Sequence, residues 1–143
     1  MTATLIVDAS ALYAQADADE PEHEAVSGVL RSERGELITS QLVVAEADYL
    51  ILRRLGVDAE LRFLEDLAGE TYLADALAPA ELAIARDVAA RYRDLELGLA
   101  DASLVVLANR WQTRRILTLD ERAFRAVSPL QGGSFTLLPA DAD

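Results

Sequence analysis

Leu5-Ile6-Val7 is a continuous apolar run, with no polar residue at alternate positions. A strand that covers one face of a sheet alternates apolar and polar side chains. A strand that is apolar throughout needs cover on both faces. The run recurs in "RILTLD", at Ile116 and Leu117, and each run leads within a few residues to an aspartate and then to a helical pattern. Doubly covered strands alternating with helices constrain the chain to an α/β architecture built from right-handed βαβ units.

Strands are predicted for Thr4 to Asp8, Glu36 to Thr39, Thr71 to Ala74 (the weakest), Arg115 to Leu119 and Ser134 to Leu138. Between them, Ala9 to Gln15, Glu22 to Ser32, Leu42 to Leu55, Asp58 to Ala68, Ala80 to Arg93, Leu99 to Gln112 and Glu121 to Val127 read as helices. Thr39-Ser40 is a capping pair before the third of these, Gly56 closes it, and Pro79 suits the first turn of the fifth. The expectation is a single α/β domain over residues 1–143, with a central, mostly parallel sheet of about five strands flanked by helices. The last few residues are expected to form a loose tail.

Composition narrows the chemistry. At 143 residues and 52% hydrophobic, the chain can bury a core. No apolar run reaches the ~18 residues that span a bilayer, and no signal-peptide pattern opens the chain, so a cytoplasmic protein without membrane contact is expected. There is no cysteine, which removes zinc-thiolate sites and thiol nucleophiles. The only histidine, His23, sits in the acidic run "DADEPEHE", a poor setting for Ser-His-Asp chemistry. A net charge of −12 should repel nucleic acid on average, and every basic residue is arginine.

The acids are arranged less randomly than the charge suggests. Sites in an open parallel sheet form at the carboxyl ends of strands, and Asp8 and Asp120 both stand at such ends. Glu46 falls three or four residues from Leu42, Val43, Tyr49 and Leu50, which places it on the apolar stripe of its helix. Asp101 bears the same relation to Leu104, Val105 and Ala108. Singly, each acid has an ordinary explanation as a cap, a first-turn residue or half of an ion pair. Together, inward-facing carboxylates need a cation, supplied by arginine or by a hard divalent metal, Mg²⁺ or Mn²⁺.

"VDASAL", "SQLVVAEADYL", "GLADASLVVLANR" and "ILTLDERAF" together resemble the PIN-domain ribonucleases, most of all the VapC-type toxins of toxin–antitoxin pairs. The resemblance runs from about Leu5 to Leu138, with the motifs in family order; Asp58 to Leu97 matches only in helical character. It implies that Asp8, Glu46 and Asp101 are the three central metal-binding and catalytic acids and Asp120 the more variable fourth. It also implies supporting roles for Ser10 and Thr118. The function so implied is metal-dependent endoribonuclease, the metal being Mg²⁺ or Mn²⁺. Alternatives within the fold are a stand-alone PIN nuclease in RNA processing and a non-catalytic binding module.

Arg122 and Arg125 are the expected phosphate contacts, in a window from Arg110 to Arg125 with five arginines against two acids. Solvated helix surface, or pairing with neighbouring glutamates, explains them equally well. Trp111 is expected in core or dimer packing rather than base stacking. The family further implies an RNA substrate, a homodimer and a small antitoxin that docks in a hydrophobic groove. Ala11 to Ala16 and Leu42 to Leu55 are the segments expected to line that groove, although core packing explains the same pattern. Receiver domains and aspartyl-phosphate phosphatases share the acidic α/β outline, but both rely on a lysine, which this chain lacks. The phosphatase pattern also needs an aspartate where Ser10 stands.

Overall fold

The structure is a computed structural model and describes residues 4–142; the expected domain ends at residues 1–3 and 143 lie outside that range. Five strands form one sheet in the order β3-β2-β1-β4-β5: β1 Leu5–Val7, β2 Leu37–Ser40, β3 Leu73–Asp75, β4 Arg115–Leu117 and β5 Thr136–Leu138. Every pairing among them is parallel, so the sheet is parallel throughout rather than mostly so. The register sets Ile6 against Ile38 on one side and Ile116 on the other.

Seven helices flank the sheet: α1 Ala9–Ala16, α2 His23–Ser32, α3 Gln41–Leu55, α4 Val57–Ala68, α5 Pro79–Arg91, α6 Leu99–Arg110 and α7 Glu121–Ala126. Leu5, Ile6, Val7, Ile38, Ile116, Leu117 and Leu137 are fully buried, as strands apolar along their whole length require. On α6, seven consecutive residues from Ala102 to Ala108 are buried, because the helix packs against β1, β2, α3 and α5 together. Removing one of these central side chains, as in Leu104→Ala, is expected to cost about 2–5 kcal/mol.

Boundaries shifted where local chemistry overrode periodicity. The fifth helix stops at Arg91 and is followed by a 3₁₀ turn, Arg93–Leu95, which ends on Glu96 in the left-handed region. α6 ends two residues early because Gln112 adopts a positive φ of 52°. β4 stops at Leu117: Thr118 N–H still reaches Leu138 O, but Leu119 N–H then donates to Ser10 Oγ and Asp120 N–H to Thr118 Oγ1. The expected loose tail is instead a tied turn. Asp141 N–H donates to Leu137 O, and the Asp141 carboxylate accepts from Arg125 and from Leu137 N–H. Gly56, with φ 92° and ψ 178°, ends α3 and starts α4, a backbone state open to glycine and little else.

Chain order reverses at β1. β2 and β3 extend to one side of it, and β4 and β5 to the other. The crevice beyond the carboxyl ends of β1 and β4 is therefore the switch point at which open α/β sheets place their sites.

Candidate active site

Asp8 follows β1 directly and is 4% exposed. Its Oδ1 accepts from Ala9 N–H at 2.7 Å, which starts α1. Its Oδ2 accepts from Ser10 Oγ at 3.0 Å and from Thr118 Oγ1 at 2.7 Å. The same two hydroxyls take the amides of Leu119 and Asp120, each at 2.9 Å. Ser10 and Thr118 thus stitch the end of β1 to the end of β4. They orient Asp8 without bringing it any positive charge.

Asp120 caps α7, its Oδ1 accepting from Ala123 N–H at 3.3 Å. Asp101 lies in the first turn of α6, half-buried. Asp101, Asp120, Arg122 and Ala123 line a cleft of about 190 Å³ together with Leu95, Glu96 and Leu97.

Three of the four acids carry raised carboxyls. Burial, then the charges of Asp8, Asp120 and Glu46, push the Asp101 carboxyl from 3.8 up to about 7. Burial also raises Asp8, against the opposing pull of its hydrogen-bond donors, and the charge of Asp120 adds to the rise. Glu46 is raised by partial desolvation and by Asp8.

Glu46 departs from its expected place. The buried stripe of α3 is Val43, Ala47 and Ile51, and Glu46 lies beside it, at the solvent edge. It is a rim residue of the cluster rather than an inward one.

The basic window also reads differently in three dimensions. Arg110 is held by Asp75 and Glu81, Arg115 by Glu33, and Arg114 by the carbonyls of Gln131 and Gly132. Arg125, an expected phosphate contact, is committed to Asp141 and Glu121. Of the five arginines, Arg114 and Arg122 enter no ion pair among the described residues, and Arg122 lines the cleft. Trp111 packs against the core and donates Nε1–H to Asp75 at 2.8 Å. His23 joins α1 to α2, its Nδ1 lying 2.7 Å from Ala14 O.

Ser40 was expected as a cap, but its link to Ser103 escaped the sequence reading. Ser40 Oγ caps α3 through Val43 N–H and lies 2.7 Å from Ser103 Oγ, which donates to Ala100 O. This hydroxyl pair ties the helix of Glu46 to the helix of Asp101. The signal was present: Asp-Ala-Ser occurs twice, at residues 8–10 and 101–103. A serine two positions after each acid is a reason to ask what both hydroxyls hold.

The donor set suits a hard divalent cation. It is all oxygen, Asp8 is nearly fully buried, and among the described residues no arginine forms an ion pair with Asp8, Glu46, Asp101 or Asp120. As the side chains stand, no three acidic or histidine groups among the described residues are drawn together tightly enough to hold an ion.

Comparison with known proteins is consistent with this geometry. The PIN domain profile matches residues 5–129. Over 135 residues the chain is 48% identical to Ribonuclease VapC26 of Mycobacterium tuberculosis, covering 94% of this chain and all of that one. The crystal structure of M. tuberculosis VapC20, a Sarcin-Ricin loop cleaving toxin, superposes with a TM-score of 0.73 at 19% identity, over 78% of this chain and 86% of that one. VapBC2 of Rickettsia felis, bound to a DNA fragment from its promoter, gives 0.66 at 9% identity, over 94% and 96%. FitAcB of Neisseria gonorrhoeae gives 0.58 at 17%, over 82% and 88%.

Proposed function

The chain belongs to the PIN-domain family, and from that premise we propose that it is an endoribonuclease of the VapC type, the toxin of a type II toxin–antitoxin pair. The carrying observation is the buried, hydroxyl-oriented Asp8 at the switch point, electrostatically linked to Glu46, Asp101 and Asp120 and paired with no arginine among the described residues. Nearly half of all positions are shared with a relative named as a ribonuclease.

Asp8, Asp101 and Asp120, with Glu46 at the rim, would hold Mg²⁺ or Mn²⁺. Such an ion offsets phosphate charge and lowers the pKa of water. The chain's own contribution is orientation. Ser10 and Thr118 fix the Asp8 carboxylate, Thr118 sets the turn that delivers Asp120, and the Ser40–Ser103 pair sets α6 and hence Asp101. Arg122, on the lip of the same cleft, is placed to receive a backbone phosphate.

The partner is read as RNA for catalysis and a small antitoxin for control, with a homodimer as the assembly. Most of the α1 segment expected in the docking groove is core instead: Ala11, Leu12, Tyr13 and Ala14 are buried. Among the described residues, exposed large apolar side chains occur on α5 (Leu82, Ile84), at Leu99 and at Leu130, but the longest set is on α3 and α4, at Tyr49, Leu52, Val57, Leu61 and Leu64, and it supports docking of an amphipathic partner there. No helix among the described residues is long and apolar enough to cross a membrane.

The test is incubation of purified protein with labelled RNA and Mg²⁺ or Mn²⁺, with and without EDTA, beside an Asp8→Asn variant. Cleavage that stops with EDTA and falls at least about 100-fold in the variant is expected, about 100-fold being the upper end of what losing a group that only orients a metal ligand costs. Cleavage that ignores EDTA, or a fully active variant, contradicts the reading.

A further inference from the structure

The end of the chain reaches the acidic cleft by two routes. Thr118, which holds Asp8, donates its amide to Leu138 O at 2.9 Å, so β5 fixes the residue that fixes the buried acid. Beyond β5 the chain turns back, and the Asp141 carboxylate accepts three hydrogen bonds: Arg125 Nη1 at 2.8 Å, Arg125 Nη2 at 2.6 Å and Leu137 N–H at 2.8 Å. Arg125 Nη2 also donates to Glu121 Oε1 at 3.2 Å.

Those bonds matter because of what α7 carries. It is a helix of only six residues, with Asp120 as its cap and Arg122 in its first turn. Helices this short do not hold themselves and take their orientation from outside contacts. Phe124, packed edge-on against Phe135, fixes where α7 sits. Among the described residues α7 buries only Ala123 and Phe124, a short contact that leaves its far end to be held by other bonds. The fork of Arg125 on Asp141, made at the far end of the helix from Asp120, supplies the missing constraint.

We propose that Arg125 and Asp141 are positioning residues of the site: the C-terminal turn clamps α7 so that Asp120 and Arg122 face Asp101 across the cleft. This rests on the nuclease reading above. It assigns Arg125 a role different from phosphate binding and makes the final turn a working part of the site.

A positioning clamp and a merely stabilising ion pair are separable here. The pair is partly solvent-exposed, a class that contributes little to stability. Arg115 with Glu33, at the opposite end of β4, serves as a control of the same chemistry remote from the cleft. The experiment measures Mn²⁺ affinity by calorimetry, melting temperature without metal, and RNA cleavage at saturating Mn²⁺. It uses the full chain and its Arg125→Ala, Asp141→Asn, double and Arg115→Ala variants. The near-isosteric Asp141→Asn guards against loss of fold in the alanine variant.

The clamp is expected to weaken Mn²⁺ binding by about three- to tenfold in each single variant, below the range for groups that touch a ligand directly. The double variant should be no worse than the weaker single, and Arg115→Ala should match wild type. Wild-type affinity in Arg125→Ala and Asp141→Asn overturns the proposal, as does an equal loss in Arg115→Ala. A wild-type protein that neither binds Mn²⁺ nor cleaves RNA removes the nuclease reading and the clamp with it.

Discussion

Both oxygens of Asp8 already accept hydrogen bonds, yet all the donors are neutral. Hydroxyl and amide donors lower the desolvation penalty of a buried carboxylate without cancelling its charge. Asp101 carries the consequence most visibly, with its carboxyl pushed up to about 7. A carboxyl raised in the folded state favours the protonated form there, so its contribution to stability is complete below pH ~4 and lost as pH rises through about 7. The metal-free protein should therefore melt at progressively lower temperature between pH 5 and 8, on the order of this window. Asp101→Asn should flatten that slope, and added Mg²⁺ should oppose it. Melting curves across the window check the sign: a metal-free protein that becomes more stable over that range contradicts the acidic-cluster electrostatics.

Elements deliver these side chains through short hydroxyl links rather than through loops. The Ser40–Ser103 pair joins α3 to α6 in the buried layer, and Ser40 also caps α3. Ser40→Ala removes a cap and a buried bond together and should cost about 1–3 kcal/mol; Ser103→Ala leaves the cap intact and should cost less. Urea unfolding of both variants measures the difference, and an equal or reversed order contradicts the assignment of the cap. At this scale the sequence was readable where periodicity and caps were unopposed: α3, α4 and their joint at Gly56 agree closely with expectation. It was unreadable where side chains competed for the backbone. β4 ended early because Ser10 took the Leu119 amide, and no local pattern announces a partner over a hundred positions away. The tail misled for the same reason, since Asp141 is ordered by Arg125, sixteen residues earlier.

Across the whole molecule, the placement of Asp8 and Asp120 was legible because both follow strands at one edge of a parallel sheet. The helix-face reading of Glu46 missed, since Val43, Ala47 and Ile51 form the buried stripe of α3. The arginines were not legible, because their partners, Asp75, Glu81, Glu33 and Asp141, come from distant segments. A chain of net charge −12 whose basic window is largely consumed by ion pairs has little to attract RNA except its cleft. RNA binding should therefore depend on divalent cation more than on bulk charge: gel-shift affinity of the wild-type protein is expected to fall sharply with EDTA, and binding that persists unchanged would point to a separate basic surface. Expressed without a partner, the wild-type chain should arrest growth and Asp8→Asn should not; arrest by both would place toxicity outside the acids. The most direct measurement is anomalous diffraction from crystals grown with Mn²⁺. A peak bounded by Asp8, Asp101 and Asp120 or Glu46 is expected. Well-diffracting crystals with no peak at that cleft, or with Mn²⁺ bound only elsewhere, would contradict a metal-dependent site at the carboxyl ends of β1 and β4.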